Sequence, residues 1–149
     1  MAAKIAIQNI TDLGFQPSQF GSPPDWVTEA TGYLARIINR IGVVVADVVG
    51  ITTYESITGG ALLSHLERAE EQFVAAELWR RMEGFERGML AMNGGAKDGE
   101  TIGSRLLANA EQAEELAWHH LSKVTGEDYG GGGLIVGSVA SGTFAESAS

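Results

Sequence analysis

The stretch GALLSHLERAEEQFVAAELWRRMEGFERGMLAMN, Gly60 to Asn93, is the longest in the chain that reads as a single helix, and it restricts the fold more than any other feature. Apolar or small residues recur at Leu62, Leu66, Ala69, Phe73 and Ala76, then shift to Leu78, Met82, Phe85, Met89 and Met92. Steps of three and four place them on one slowly drifting face. At a rise of 1.5 Å per residue such a helix is about 50 Å long, more than a compact domain of this size needs. The opposite face carries Glu67, Arg68, Glu70, Glu71, Glu77, Arg80, Arg81, Glu83, Glu86 and Arg87, which reads as a solvated surface. Glu67 and Glu71 repel at i,i+4, whereas Glu77 and Arg81 attract by a few tenths of a kcal/mol.

Leu63, Val74, Trp79 and Leu90 fall off the main stripe and give this helix a second apolar flank. Ordinary core accounts for such a flank, and so does contact between subunits. These four residues are the candidate subunit interface.

Two further helices are expected. Ser22-Pro-Pro-Asp25 has the form of a helix start, with Ser22 as cap, Pro23 at the first position and Asp25 completing the box. From about Pro24, Val27, Ala30, Leu34, Ile37, Ile38, Ile41, Val45 and Val48 keep the helical period. The valine run from Val43 to Val49 suits a strand as well. With no partner strand nearby, a helix to about Val49 stopped by Gly50 is the better reading. The third helix runs from near Thr101 to Gly126, with Ile102, Leu106, Ala110, Ala113, Ala117, Leu121 and Val124 inward and Leu107, Leu116 and Trp118 broadening that face. Thr52 to Thr58 reads as a loop or short turn, and Gly94 to Gly99 as an exposed turn. At the start, Asn9 or Thr11 caps one helical turn ending at Gly14, with Ile10 and Leu13 turned inward.

Short connections between long helices imply antiparallel neighbours. The expected fold is therefore all-α: an antiparallel bundle of three long helices plus a short N-terminal helix, with an extended Gly-rich C-terminal arm. The boundary falls near Gly126, giving a helical domain over residues 1–126 and an arm over 127–149. Within that arm, Leu134, Ile135, Val136 and Val139 form a late apolar patch after the joint Asp128-Tyr-Gly-Gly-Gly-Gly133. A disordered tail is one reading of it; a segment that adds to another subunit's surface is the other.

Composition narrows the chemistry. Ten basic against nineteen acidic residues in 149 give a net charge of −9, which disfavours tight binding to nucleic-acid phosphates. No cysteine means no disulfide framework and no thiolate ligand or nucleophile. The start MAAKIAIQN lacks the apolar core of a signal peptide, and no run approaches a membrane span, so folding in a cytoplasm is expected. His65, His119 and His120 occur without the E-x-x-H step of a di-iron bundle, and no metal site is expected from them. No nucleophile elbow and no phosphate-cradling loop occurs. Neither catalytic residues nor a cofactor is therefore expected.

The order of these parts resembles the head-tail connector, or adaptor, proteins of tailed bacteriophages. An ITDLG element comes first, then PPDWVTEATGYLARIINRIG, then the spine with LERAEEQFVAAELWRRME, a third helix and a C-terminal arm. The resemblance spans most of the chain and rests on patterns of helix faces. It implies a non-enzymatic virion protein at the head-tail interface, made in the host cytoplasm and forming an oligomeric ring, commonly of twelve subunits. Such a ring lies between the portal protein and the next tail-proximal protein, and DNA passes through without specific binding. It also implies that Leu134, Ile135, Val136 and Val139 dock on the portal. A long helix with two apolar edges suits such a ring, since heterologous contacts repeat around it until closure. The alternatives are a free-standing helical bundle, as enzyme or metal carrier, and a small regulatory or chaperone-like interaction protein.

Overall fold

The computed structural model describes residues 2–93 and 96–127, with side chains described up to residue 92 and again from 102. Among these residues the chain is mostly helical and contains no strand. The helices are α1 (Ile7–Thr11), α2 (Tyr33–Val49), α3 (Ile51–Ser56), α4 (Gly60–Asn93) and α5 (Ala96–Thr125), with a 3₁₀ turn at Pro17–Phe20. The arm, including Leu134, Ile135, Val136 and Val139, lies outside the described residues.

The spine helix α4 has the bounds its periodicity predicts. It pairs with α5 in the opposite direction: His65 meets His120, Phe73 meets Trp118, and Arg80 meets Glu114. The inward face of α5 is the predicted one, with Leu106, Ala110, Ala113, Ala117 and Leu121 all buried. Leu107 and Leu116 point outward instead. Alanines lie between leucines on that face, and the edge contact of Phe73 with Trp118 adds bulk beside them.

Helix α2 lies against the other side of α4. Arg40 reaches Glu77 at 3.1 Å, and Val45 and Ala46 pack with Leu66 and Ala69. The valine run is helical up to Val49, and the Gly50 amide closes the helix onto the Ala46 carbonyl at 2.8 Å. Gly50 then takes φ +98°, a conformation that glycine adopts freely, and starts α3, where a loop or short turn is expected from sequence.

The beginning of α2 corrects the sequence reading. Ser22 does not cap a helix from Pro24; its φ is +52°, and the helix begins nine residues later at Tyr33. The segment between folds back so that the Asp25 and Trp26 carbonyls accept the first α2 amides, those of Tyr33 and Leu34. Aromatic packing explains the change. Residues seven apart in a helix are separated by about 10 Å along its axis, yet the rings of Trp26 and Tyr33 lie 5.3 Å apart and Phe20 stacks on Trp26 at 5.2 Å. Unwinding buries Trp26 and leaves Val27 exposed. Gly32 is essential to the fold-back, because a Cβ there would lie 2.3 Å from the Thr28 carbonyl oxygen.

The N-terminal segment crosses both α2 and α4. Ile5 and Ile10 are buried, α1 ends at Thr11, and the chain turns at Gly14 with φ +97°. Leu13, expected inside, is exposed. Gly42 on α2 admits Ala3 so closely that a Cβ there would sit 2.8 Å from the Ala3 Cβ.

Candidate functional site

The four residues of the second spine flank do not form one free surface. Val74 is wholly buried inside the chain, packed in the core with Leu78, Ile37 and Ile38, and so offers nothing to a neighbour. Trp79 is half-buried, its ring 5.0 Å from Phe15 in edge contact. Leu63 packs against the cluster around Leu66, Tyr54 and Leu121. Leu90 keeps intermediate exposure toward the end of α4. The flank that the sequence leaves over is thus shared among the rest of the fold: Phe15 takes Trp79, and α2, α3 and α5 contribute to the clusters around Val74 and Leu63.

The apolar surface left outward lies elsewhere. On α2, Val43, Val44 and Val48 are 49%, 50% and 38% exposed, and Ile51 follows at the start of α3 with 53%. Val44 and Val48 stand at i,i+4 on one face, with only Asp47 interrupting as a charge. A second group, Met89, Met92 and Leu107, is exposed along the α4–α5 pair, while Leu106 beside Leu107 is buried and Ile102 packs against the core. Sequence reading assigned Val48 to the inward stripe, because the 3.6 period cannot tell which edge of the stripe the rest of the chain will cover.

Inside, one carboxylate organises the join between the N-terminal segment and the helices. Glu70, on the nominally solvated face of α4, is only 1% exposed. It accepts hydrogen bonds from the Tyr54 hydroxyl, from the Lys4 amide at 2.8 Å and from the Ile5 amide. Burial raises its pKa above the usual carboxylate range, and these donors and the Lys4 ammonium work in the other direction. Burial likewise pushes the Tyr54 hydroxyl far up, with the Glu70 carboxylate adding to it. Lys4 donates to the Ile57 carbonyl at 3.0 Å and lies 4.7 Å from the Tyr54 ring centre. Beside it, Asn9 donates to Glu71 at 2.8 Å. Every strong acceptor and donor in this knot is used within the fold, which gives it the character of a structural tie.

The histidines, 55 residues apart in sequence, meet across α4 and α5. His65 Nδ1 and His120 Nδ1 are 3.1 Å apart, and the His119 ring lies 5.5 Å from that of His120. Burial holds both His119 and His120 below the ordinary histidine pKa, helped by Lys123 and His65 at His119, and by His119, His65 and Arg68 at His120. His120 also borders a polar groove of about 360 Å³ lined by Ser64, Glu67, Arg68, Glu71 and Gln72. Among the described residues, no group of three or more His, Cys, Asp or Glu side chains is placed to hold a metal ion.

No family model, curated protein or solved structure matches this chain. Among the described residues, no helix is long and apolar enough to cross a membrane. The exposed apolar faces of α2–α3 and of the α4–α5 end are suited to protein contact, while the groove and the histidine pair offer the polar chemistry.

Proposed function

We propose that this chain is a structural virion protein, an adaptor whose copies pack side by side in a ring between portal and tail and extend the DNA channel at the capsid vertex. The observation that carries the reading is the valine face of α2. Three branched side chains within six residues remain outward after the core is filled, and Ile51 continues them. Contiguous exposed apolar side chains of this kind are what contact surfaces are made of. The contact surface in this reading is Val43, Val44, Val48 and Ile51 in place of the buried Val74. The three long helices form the antiparallel body of the subunit, and residues 127–149 form the arm that docks on the portal or on an adjacent copy.

The α4–α5 hairpin supports the same reading, because Met89, Met92 and Leu107 add to the apolar side chains left exposed. A net charge of −9 suits a passage through which DNA slides without adhering. Twelve copies is the expected number, matching the portal above.

The test is assembly. Purified chain is mixed with portal dodecamers and imaged by electron microscopy, alongside Val44→Asp and Val48→Asp variants. The unmodified chain adds a ring of density below the portal, and the variants remain folded by circular dichroism but fail to add it. A chain that stays monomeric and leaves the portal bare sinks the proposal and favours a free-standing bundle.

A further inference from the structure

We propose that His65 and His120 form a clip for one divalent transition-metal ion of the zinc class, joining the first third of α4 to the last turns of α5. The geometry of the pair is the ground for this. Two imidazole nitrogens bound to zinc at 2.0–2.1 Å in a tetrahedral arrangement are about 3.3 Å apart. The two Nδ1 atoms already stand 3.1 Å apart, with ring centres at 5.3 Å and ring planes at 34°. The spacing of the two nitrogens thus needs little change, while the rings must turn so that both lone pairs converge on the ion.

Without metal, the contact requires one ring to donate and the other to accept, so the pair shares a single Nδ1 proton. With metal, that proton moves to the Nε2 of the same ring and both Nδ1 lone pairs turn toward the ion. No proton need leave the protein when both rings are neutral. The surroundings are mixed in charge. Arg68 of α4 and Lys123 of α5 oppose a cation, whereas Glu67 and Glu71 line the groove beside His120 and favour one. His119 lies next to the pair but completes no three-ligand set. Water therefore fills the other positions, which leaves the site more open than the three-ligand sites of zinc enzymes and unlike a closed structural one.

The two rings come from helices joined only at the far end of the hairpin, so a bound ion ties together the pair's open end. An ion that binds the folded chain alone raises the ratio of folded to unfolded protein about 100-fold when present at 100 times its Kd.

The experiment uses the full chain without an affinity tag. Zn²⁺ and Ni²⁺ are titrated by calorimetry into the unmodified chain and into His65→Ala, His120→Ala and His119→Ala variants, and Tm is measured with and without metal. One ion per chain is expected, with Tm raised. His65→Ala and His120→Ala each weaken binding at least ten-fold and abolish the Tm rise, while His119→Ala stays within about two-fold. Imidazole nitrogen NMR of the unmodified chain, which needs no variant to fold, shows two Nδ1 resonances moving on addition of Zn²⁺. Absence of binding, binding indifferent to His65 and His120, or shifts confined to Nε2 overturns the proposal.

Discussion

Replacing Tyr54 with phenylalanine removes one hydroxyl from a site that is wholly enclosed, and the structure allows the cost to be worked out. The ring stays in place under Lys4, so packing and the cation contact persist. What goes is a hydrogen bond to a buried carboxylate, leaving Glu70 with the Lys4 and Ile5 amides alone. A hydrogen bond to a charged group is worth about 1.5–3 kcal/mol, a large share of the roughly 5–15 kcal/mol that separates folded from unfolded domains. Urea unfolding followed by circular dichroism should show the midpoint fall at unchanged slope. Combined with Glu70→Gln in a double-mutant cycle, the coupling between the two side chains isolates the pair from everything around it. The dependence on pH has a definite sign. Because the folded pKa of Glu70 is raised, the stability linked to its protonation is fully present below the unfolded value and is lost as pH rises through the folded one. Glutamine does not titrate, so Glu70→Gln gains on the unmodified chain as pH rises. A Tyr54→Phe chain within about 0.5 kcal/mol of the original, or a Glu70→Gln difference that is flat with pH, would refute the reasoning.

Other outcomes follow from the same geometry. Gly32→Ala should destabilise more than an exposed substitution, by about 1–3 kcal/mol for a forced overlap in a packed site, since its Cβ would meet two carbonyl oxygens within 2.4 Å; thermal melting measures it. Leu66→Ala, at a wholly buried position, should cost about 2–5 kcal/mol, while Leu62→Ala, half out in solvent, should stay within about 0.5 kcal/mol in the same denaturant series. His119 and His120 have depressed pKa values, so their contribution is present above the unfolded histidine pKa and lost as pH falls through the folded values. Stability measured downward from neutral pH should decline in that window, and a His119→Gln/His120→Gln chain should decline less. Deleting residues 130–149 should leave the helical circular dichroism signal of α2, α4 and α5 intact and prevent incorporation into particles, read by gel analysis of purified virions.

The long helices were legible because their burial repeats. Leu106, Ala110, Ala113, Ala117 and Leu121 on α5 keep one face for about four turns, and the structure puts that face against α4. The same arithmetic failed where distant residues decide the outcome. Ser22-Pro-Pro-Asp25 has every local sign of a helix start, but Trp26, Phe20 and Tyr33 gain more from stacking on each other than a first turn of helix offers. Glu70 sits among charges that mark a solvated face, and the Lys4 and Ile5 amides and the Tyr54 hydroxyl, all distant in sequence, make it an interior residue. Val74 was assigned to a second flank for the same reason: periodicity ranks the faces of one helix and does not count how many partners will cover them. The histidine pair left no local trace, since its members share neither a helix nor a motif.

The knot around Glu70 also bears on the order in which the molecule can be made. Lys4 leaves the ribosome early, but the carboxylate that receives its amide is encoded 66 residues later. Ala3 against Gly42 imposes a similar wait. Residues 3–5 must therefore remain undocked until the first part of the spine helix has been synthesised. The hairpin of α4 and α5 can zip up from its own turn, whereas docking of the N-terminal segment closes a loop of more than sixty residues and carries the larger closure entropy.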